Sequence, residues 1–249
     1  MSGHSKWATI KRKKGAIDKA KGKTFAKLAR QLEVASREGG GDVNANAALR
    51  TIVLKAKAAQ MTNDAIDRAI KRGTGVQSGA TYESIVYEAY APGGVAMLIE
   101  TLTDNRNRTA SDVRSLFSKH GGAMAEPGAV GWQFSRKGLV QVAKDRDEDE
   151  VMLVALESGA EDVVDDGDAW RVTCEPTAVF DVKSSLEAAG MTVQSATSTM
   201  LSSLTVQVTD PASVKAILRI MDDLDDNDDV QDVYANFDIA DDLMAEVAS

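Results

Sequence analysis

The stretch YESIVYEAYAPGGVAMLIETLT, residues 82–103, marks the point where this chain changes character. Its two halves alternate or run apolar, and Pro92-Gly93-Gly94 separates them. Strand-forming residues on either side of such a break read as a hairpin. Upstream the pattern is helical. Thr24 can cap a helix carrying Phe25, Leu28, Leu32 and Ala35 at helical spacing, stopped by Gly39-Gly40-Gly41. Asn44 or Asn46 opens a second helix through Leu49, Ile52, Val53 and Ala56. Thr62 opens a third through Ile66 and Ile70, ended by Gly73. Ahead of them, residues 1–22 offer only Trp7, Ile10 and Ile17 as apolar anchors and read as an arm, disordered or loosely helical. GTGVQSGA, residues 73–80, reads as the exit linker.

Downstream of the hairpin, Val113, Leu116 and Phe117 share a helix face, with Gly121 beyond its end. VGWQFS and GLVQVA suggest a second hairpin around Arg136-Lys137. There follow a helix near 147–158, strands near 162–165 and 169–174, a helix over 176–189 and a strand near 192–199. LTVQVT, a helix opened by Asp210 and Pro211, and the strand VQDVYANF complete the series. Block 131–204 can close as one α/β sandwich. The pieces on either side of it are too small to bury a sheet face alone, so they are expected to complete one another. The predicted fold is multi-domain, α and α+β: an N-terminal three-helix domain, then two α/β sandwich domains, one inserted in the other. The expected division is 1–77 for the basic arm and helical domain, 78–130 plus 205–249 for the outer α/β domain, and 131–204 for the insert.

Net charge is −9 over 249 residues, with 43% hydrophobic and 27% charged residues, an ordinary globular balance. That total conceals a polarity. Residues 1–75 hold 17 Lys+Arg against 6 Asp+Glu, a net +11, and the remaining residues hold 12 against 32, a net −20. An asymmetry of this size points to a polyanionic partner for the basic part. The acidic part does not cancel the attraction at a distance, because screening at physiological salt acts within about 8 Å. No stretch approaches the roughly 20 apolar residues of a membrane helix. The beginning of the chain has neither a signal-peptide core nor an organelle-presequence composition. With one cysteine, Cys174, an internal disulfide is impossible and a cytoplasmic setting is expected.

The first 30 residues carry ten Lys+Arg, counting Lys6, against Asp18 alone. Lys11, Arg12, Lys13 and Lys14 lie in the arm, with Lys21 at its end. At about 100° per residue, Lys19, Lys23, Lys27, Arg30 and Arg37 share one side of the following helix, opposite its apolar residues. A solvated helix face would interleave Glu with Lys at helical spacing. Such pairs are nearly absent here, so the like charges repel unless an anion sits against them. Nucleic acid supplies that anion through phosphates, which such cations bind without reading sequence. Trp7 has two readings of equal weight: stacking on a base, or tethering the arm to the helical domain. His4 reads as solvated.

SGHSKWATIKRKKGAIDKAKGKTFAKLAR, REGGGDVNANAALR, AIKRGTG, YEAYAPGGVAMLIETLTDNRNRTASDVRSLFSKHGG and DDVQDVYANF resemble the YebC/PmpR family. The resemblance is strong over 1–138 and good over 205–239, while the middle domain matches in pattern. It departs near Met200, where the family pattern carries a proline and this chain reads Leu201-Ser202-Ser203. It implies a helical N-terminal domain and two α/β domains, one inserted in the other. Members are regarded as probable DNA-binding transcriptional regulators, and some as translation factors that help ribosomes through difficult stretches such as proline runs. Lys6, Trp7, Lys11, Lys13, Lys14 and Lys23 carry the N-terminal match.

Arg106 and Arg108 sit where a helix should begin, a placement its dipole disfavours by up to about 1 kcal/mol. Phosphate contacts and carboxylate partners explain them equally well. Lys71-Arg72 complements a helix C-terminus and needs no function. His120 is expected to finish a helix, and Pro92-Gly93-Gly94 to form a turn. The acids of 210–249, 12 against Lys215 and Arg219, read as solvated surface, with metal or basic-protein contact as the lesser reading.

Two histidines and one cysteine, remote from one another, match no common zinc spacing and offer no recognisable nucleophile–base pair. No enzyme, metal, cofactor or small-molecule substrate is expected. A membrane surface is disfavoured because the basic helix lacks an opposing face dense in Trp and Phe. The expected role is non-enzymatic regulation of gene expression through ribosomal RNA or DNA, with the ribosome as favoured partner. The contact set is Lys6, Trp7, Lys11, Arg12, Lys13, Lys14, Lys19, Lys21, Lys23, Lys27, Arg30, Arg106 and Arg108.

Overall fold

The computed structural model describes residues 17–75 and 81–240, together with Leu243, Met244 and Val247, and for residues 17–21 the backbone alone. These residues fall into two compact units: 131–207 with 234–238, and the remainder.

The larger unit opens with three helices, α1 (Ile17–Gly39), α2 (Ala47–Ala58) and α3 (Asn63–Thr74). The first starts well upstream of Thr24, because Lys and Ala on either side of Gly22 favour helix enough to carry one glycine. Leu28, Leu32 and Ala35 of α1 meet Leu49, Val53 and Ala56 of α2 and Ile66 and Ala69 of α3 in one buried core. Asn46 caps α2 by accepting from the Leu49 N–H at 3.0 Å. Its Nδ2 also donates to the Ala35 and Gly40 carbonyls at 2.8 and 2.9 Å, closing the end of α1. Thr62 caps α3 in the same manner. Gly73, expected to stop that helix, lies inside it. A Cβ there would collide with Ser36 Oγ and the Glu33 carbonyl, so this glycine sets how closely α1 and α3 cross.

The same unit holds β1 (Glu83–Ala91), β2 (Val95–Thr103), α4 (Arg106–Lys119), β3 (Ala123–Ala125), α7 (Pro211–Asp226) and, as far as Val233, β9 (Val230–Ala235). β1 and β2 form the hairpin, in register from Glu83↔Thr103 to Ala91↔Val95. Gly93 and Gly94, at φ 79° and 75°, supply the left-handed turn that side chains resist. The sheet order is β3-β1-β2-β9, with α4 against α7. Val113 and Phe117 of α4, and Val214, Ile217, Met221 and Leu224 of α7, are fully or almost fully buried. Asp210 caps α7, accepting from the Ser213 N–H at 2.9 Å, with Pro211 in its first turn.

The smaller unit runs β4 (Phe134–Ala143), α5 (Glu148–Glu157), β5 (Ala160–Asp165), β6 (Ala169–Cys174), α6 (Val179–Ala188), β7 (Val193–Ser202) and β8 (Val206–Gln207). Its sheet is antiparallel in the order β5-β6-β4-β7, the ferredoxin-like βαββαβ arrangement. Val140, Val142, Val172 and Cys174 face Val151, Ala155, Val182 and Leu186 in its core. Two expectations are corrected here. Arg136-Lys137 is not a turn: both residues stay in one continuous strand, opposite Met200 and Thr199. Lys137 tolerates the ladder because it bridges Glu161 and Glu175 at 2.8 and 3.2 Å. LTVQVT keeps strand structure only at Val206–Gln207, which pairs in parallel with β10 (Phe237–Asp238) and not with the outer sheet.

Candidate nucleic-acid interface

Lys6, Trp7, Lys11, Arg12, Lys13 and Lys14 lie outside the described residues, as do the side chains of Lys19 and Lys21. The remaining predicted contacts fall into two groups by what surrounds them.

Lys23, Lys27 and Arg30 occupy successive turns of one α1 face, as 3.6 residues per turn requires, and that face meets the end of α7 and the loop into β9. Lys23 Nζ donates to Asp226 Oδ1 at 2.7 Å. Lys27 Nζ donates to the Asp225 carbonyl at 2.9 Å and lies 3.7 Å from its carboxylate. Arg30 Nη1 reaches the Asp228 carbonyl at 2.9 Å, Asp229 Oδ1 at 3.0 Å and the Leu102 carbonyl at 3.0 Å. The Arg30 guanidinium also stacks over Tyr82, 5.0 Å from the ring centre. Gln31 donates to Gln231 at 3.1 Å beside it. The countercharge missing near these cations in sequence therefore comes from about 200 positions later, as the separation of 203 between Lys23 and Asp226 shows. The acidic segment read as solvated surface is, at Asp225, Asp226 and Asp229, a partner of α1.

Arg108 and Arg106 part company. Arg108 donates to Asp229 Oδ2 at 2.8 Å and to Asp104 Oδ1 at 2.9 Å. Of the two explanations open for it, carboxylate partners are present. Asp229 is itself buried and accepts from Thr109 Oγ1 at 2.7 Å and Thr103 Oγ1 at 3.2 Å. Burial alone would raise the Asp229 carboxyl. The hydrogen bonds from Arg108 and Thr109 and the Arg108 charge outweigh burial and hold it below the usual range. Arg106, in the same turn of α4, is exposed and has no ion-pair partner among the described residues. The cap of this helix is Asn105, whose side chain accepts from the Arg108 N–H at 3.1 Å.

The helical bundle carries further cations that the predicted set omits. Glu33, almost buried where α1 crosses α3, accepts from Arg37 at 3.1 Å and Arg72 at 3.3 Å. Arg37, Arg68, Lys71 and Arg72 are exposed. Arg37 in the last turn of α1 and Lys71 and Arg72 in the last turn of α3 offset the helix dipoles, which is why Lys71-Arg72 needs no function on sequence grounds. His120 ends α4 as expected, and its Nε2 lies 2.8 Å from Asp223. No group of three or more His, Cys, Asp or Glu able to hold a metal occurs among the described residues, and no described helix is long and apolar enough to cross a membrane.

A cationic helical region joined to two antiparallel α+β sheets, one of them ferredoxin-like, defines a multi-domain α and α+β protein. Its kin are specific. Residues 5–76 match the TACO1/YebC protein N-terminal domain, and residues 82–237 match the TACO1/YebC second and third domain. A Rubrobacter xylanophilus protein named "Probable transcriptional regulatory protein" is 57% identical over 250 residues, spanning 100% of both chains. A Geobacter sulfurreducens protein with the same descriptive name is 50% identical over 244 residues, spanning 98% of each. The crystal structure of a conserved hypothetical protein from Aquifex aeolicus, 41% identical, superposes with a TM-score of 0.76 over 90% of this chain and 93% of that one. The chain belongs to the TACO1/YebC family.

Proposed function

We propose that this chain is a non-enzymatic, nucleic-acid-binding regulator of gene expression, and that it acts in the cytoplasm as a translation factor on the ribosome. In this reading its three working parts are 1–77, the outer α/β domain of 78–130 with 205–249, and the insert 131–204. The observation that carries the reading is the charge partition, +11 over residues 1–75 against −20 over the rest. A front end of that charge associates with phosphate through counterion release. Lys6, Lys11, Arg12, Lys13, Lys14, Lys19 and Lys21 supply most of it, Trp7 adds a stacking surface, and Arg106 adds an exposed cation. The family resemblance supports a task in elongation through difficult stretches such as proline runs.

The helical bundle favours RNA shape over base reading. Its nearest approach to a helix–turn–helix is α2 and α3, joined through residues 59–62. A reading helix contacts base edges through its N-terminal residues. In α3 these include Asp64 and Asp67, both exposed, and carboxylates are repelled by a groove lined with phosphates. Backbone and shape contacts to structured RNA avoid that conflict. The names of the relatives favour a second reading, a DNA-binding transcriptional regulator.

Competition at fixed salt separates the two. Labelled protein displaced by ribosomes in preference to promoter duplex supports the first reading; affinity for one duplex that depends on its base pairs supports the second. Cosedimentation with ribosomes should fall sharply in a chain lacking residues 1–22. Equal cosedimentation of the truncated chain would remove the arm from the interface.

A further inference from the structure

The contact between α1 and the Asp225–Asp229 segment has a chemistry of its own. Three cations on one helix face meet the carboxylates of Asp225, Asp226 and Asp229 and the backbone carbonyls of Asp225, Asp226, Asp228 and Leu102. The last turn of α7 contributes its negative dipole end at the same place. Acceptor oxygens spaced along a chain, three of their groups charged and all within 2.7–3.7 Å of lysine and arginine nitrogens, are what a phosphate backbone also presents.

The contact is graded on its carboxylate side. Side-chain exposure falls from 73% at Asp226 through 39% at Asp225 to 8% at Asp229, while the cations Lys23, Lys27 and Arg30 retain 31%, 14% and 22%. An exposed pair is weak and screened by salt. A partner that also holds Arg108, Thr109 and Thr103 is fixed in place.

We infer that the Asp225–Asp229 segment is an internal phosphate mimic that occupies the α1 cationic face and competes with nucleic acid for Lys23 and Lys27. This rests on the nucleic-acid reading above and adds its regulation. Arg30, locked between Asp229, two carbonyls and Tyr82, is the pivot. Lys23 and Lys27 are the exchangeable end. Nucleic acid first bound through the arm raises the local phosphate concentration beside α1, displaces Asp226 and Asp225, and gains two further contacts. Short or weakly held strands, which place few phosphates beside α1, do not complete the exchange. The mimic thus works as a threshold against loose polyanion binding.

Two measurements on the full chain test this. The first compares the wild type with the Asp225→Asn/Asp226→Asn variant, using fluorescein-labelled single-stranded RNA of mixed sequence. The variant should bind about 3- to 10-fold more tightly, the gain being set by the fraction of wild-type molecules whose face is free. The second needs no variant. A zero-length carbodiimide should join Lys23 to Asp226 in the free protein, and the joined peptide should disappear when RNA saturates the wild type. Tight RNA binding with the cross-link undiminished and the variant no tighter would overturn the mimic and leave the nucleic-acid reading standing. Binding by the variant alone would support the mimic in its strongest form. Absence of RNA binding by both proteins would overturn the mimic together with the reading on which it rests.

Discussion

Arg108 and Asp229 meet at 2.8 Å, although 121 positions separate them, and this bond ties the start of α4 to the entry of β9. Asp229 also receives Thr109, Thr103 and Arg30, while its N–H donates to Asn227 Oδ1 at 2.9 Å and its carbonyl accepts from the Leu102 N–H at 2.8 Å. Removing its charge leaves two guanidinium groups facing a neutral oxygen. Asp229→Asn should therefore cost about 2–3 kcal/mol at neutral pH, in keeping with hydrogen bonds to charged groups, as read from urea denaturation. The pH dependence has a definite sign. Because the folded state depresses this carboxyl, its contribution is complete above the ordinary carboxylate range near 4. It is lost as the pH falls through the lower folded value. Asp223, depressed first by the His120 hydrogen bond, acts in the same direction. Wild type should lose more stability than Asp229→Asn on acidification from pH 6 to about 3; parallel losses would refute the assignment.

Gly73→Ala sets two effects against each other. Alanine inside a helix gains about 1 kcal/mol over glycine from backbone propensity. The new methyl, however, would fall inside contact distance of Ser36 Oγ and the Glu33 backbone, and backbone cannot give way as a side-chain tip can. Overpacking of this kind costs about 1–3 kcal/mol, so a net loss of stability is expected, with α1 and α3 losing amide protection together in hydrogen exchange. A stabilised variant would mean that the crossing is looser than its geometry.

How much of this is legible in the sequence varies with the range of the interaction. The caps Thr62 and Asp210, the Pro92-Gly93-Gly94 turn and the three-helix core follow from local chemistry and are legible in sequence, whereas sequence leaves Asn44 and Asn46 as alternatives and the structure selects Asn46. Gly73 reads as a helix stop because sequence shows a glycine's freedom and not the neighbour that demands it. Arg136-Lys137 reads as a turn because the acids that make Lys137 acceptable in a strand, Glu161 and Glu175, are distant in sequence. The site shows the same limit. The lack of local countercharge on α1 was visible, but its partners at Asp225, Asp226 and Asp229 lie at the other end of the chain. Net charge by region registered the complement without locating it.

Arg106 and Arg108 offer a matched pair, two residues apart with opposite assignments. Arg106→Gln removes an exposed cation with no ion-pair partner among the described residues, so folding should be unchanged within about 0.5 kcal/mol. If Arg106 touches phosphate, RNA affinity should fall and the salt dependence should flatten by about 0.7 in log–log slope. Arg108→Gln should do the reverse, lowering stability by roughly 1–3 kcal/mol because the buried Asp229 loses one of its two charged donors. Measuring melting temperature and salt-dependent anisotropy on both variants separates the roles; an Arg108 variant that melts normally and binds poorly would return that residue to the interface.

Cys174 lets the smaller unit be followed separately. Its side chain is fully buried between β6 and the helices above it. Burial, reinforced by the charges of Glu161 and Glu175, pushes the thiol above its ordinary value, and only the thiolate reacts. Both effects act against modification, so labelling by a thiol reagent at pH 7.5 should be slower by orders of magnitude than in the urea-unfolded chain, and should speed up only as that unit opens. Leu186→Ala, which empties part of the same core, should cost about 2–5 kcal/mol and accelerate labelling, with no change in Lys23–Asp226 cross-linking. Rapid labelling of the native wild type would show that the core around Cys174 opens far more readily than its packing implies.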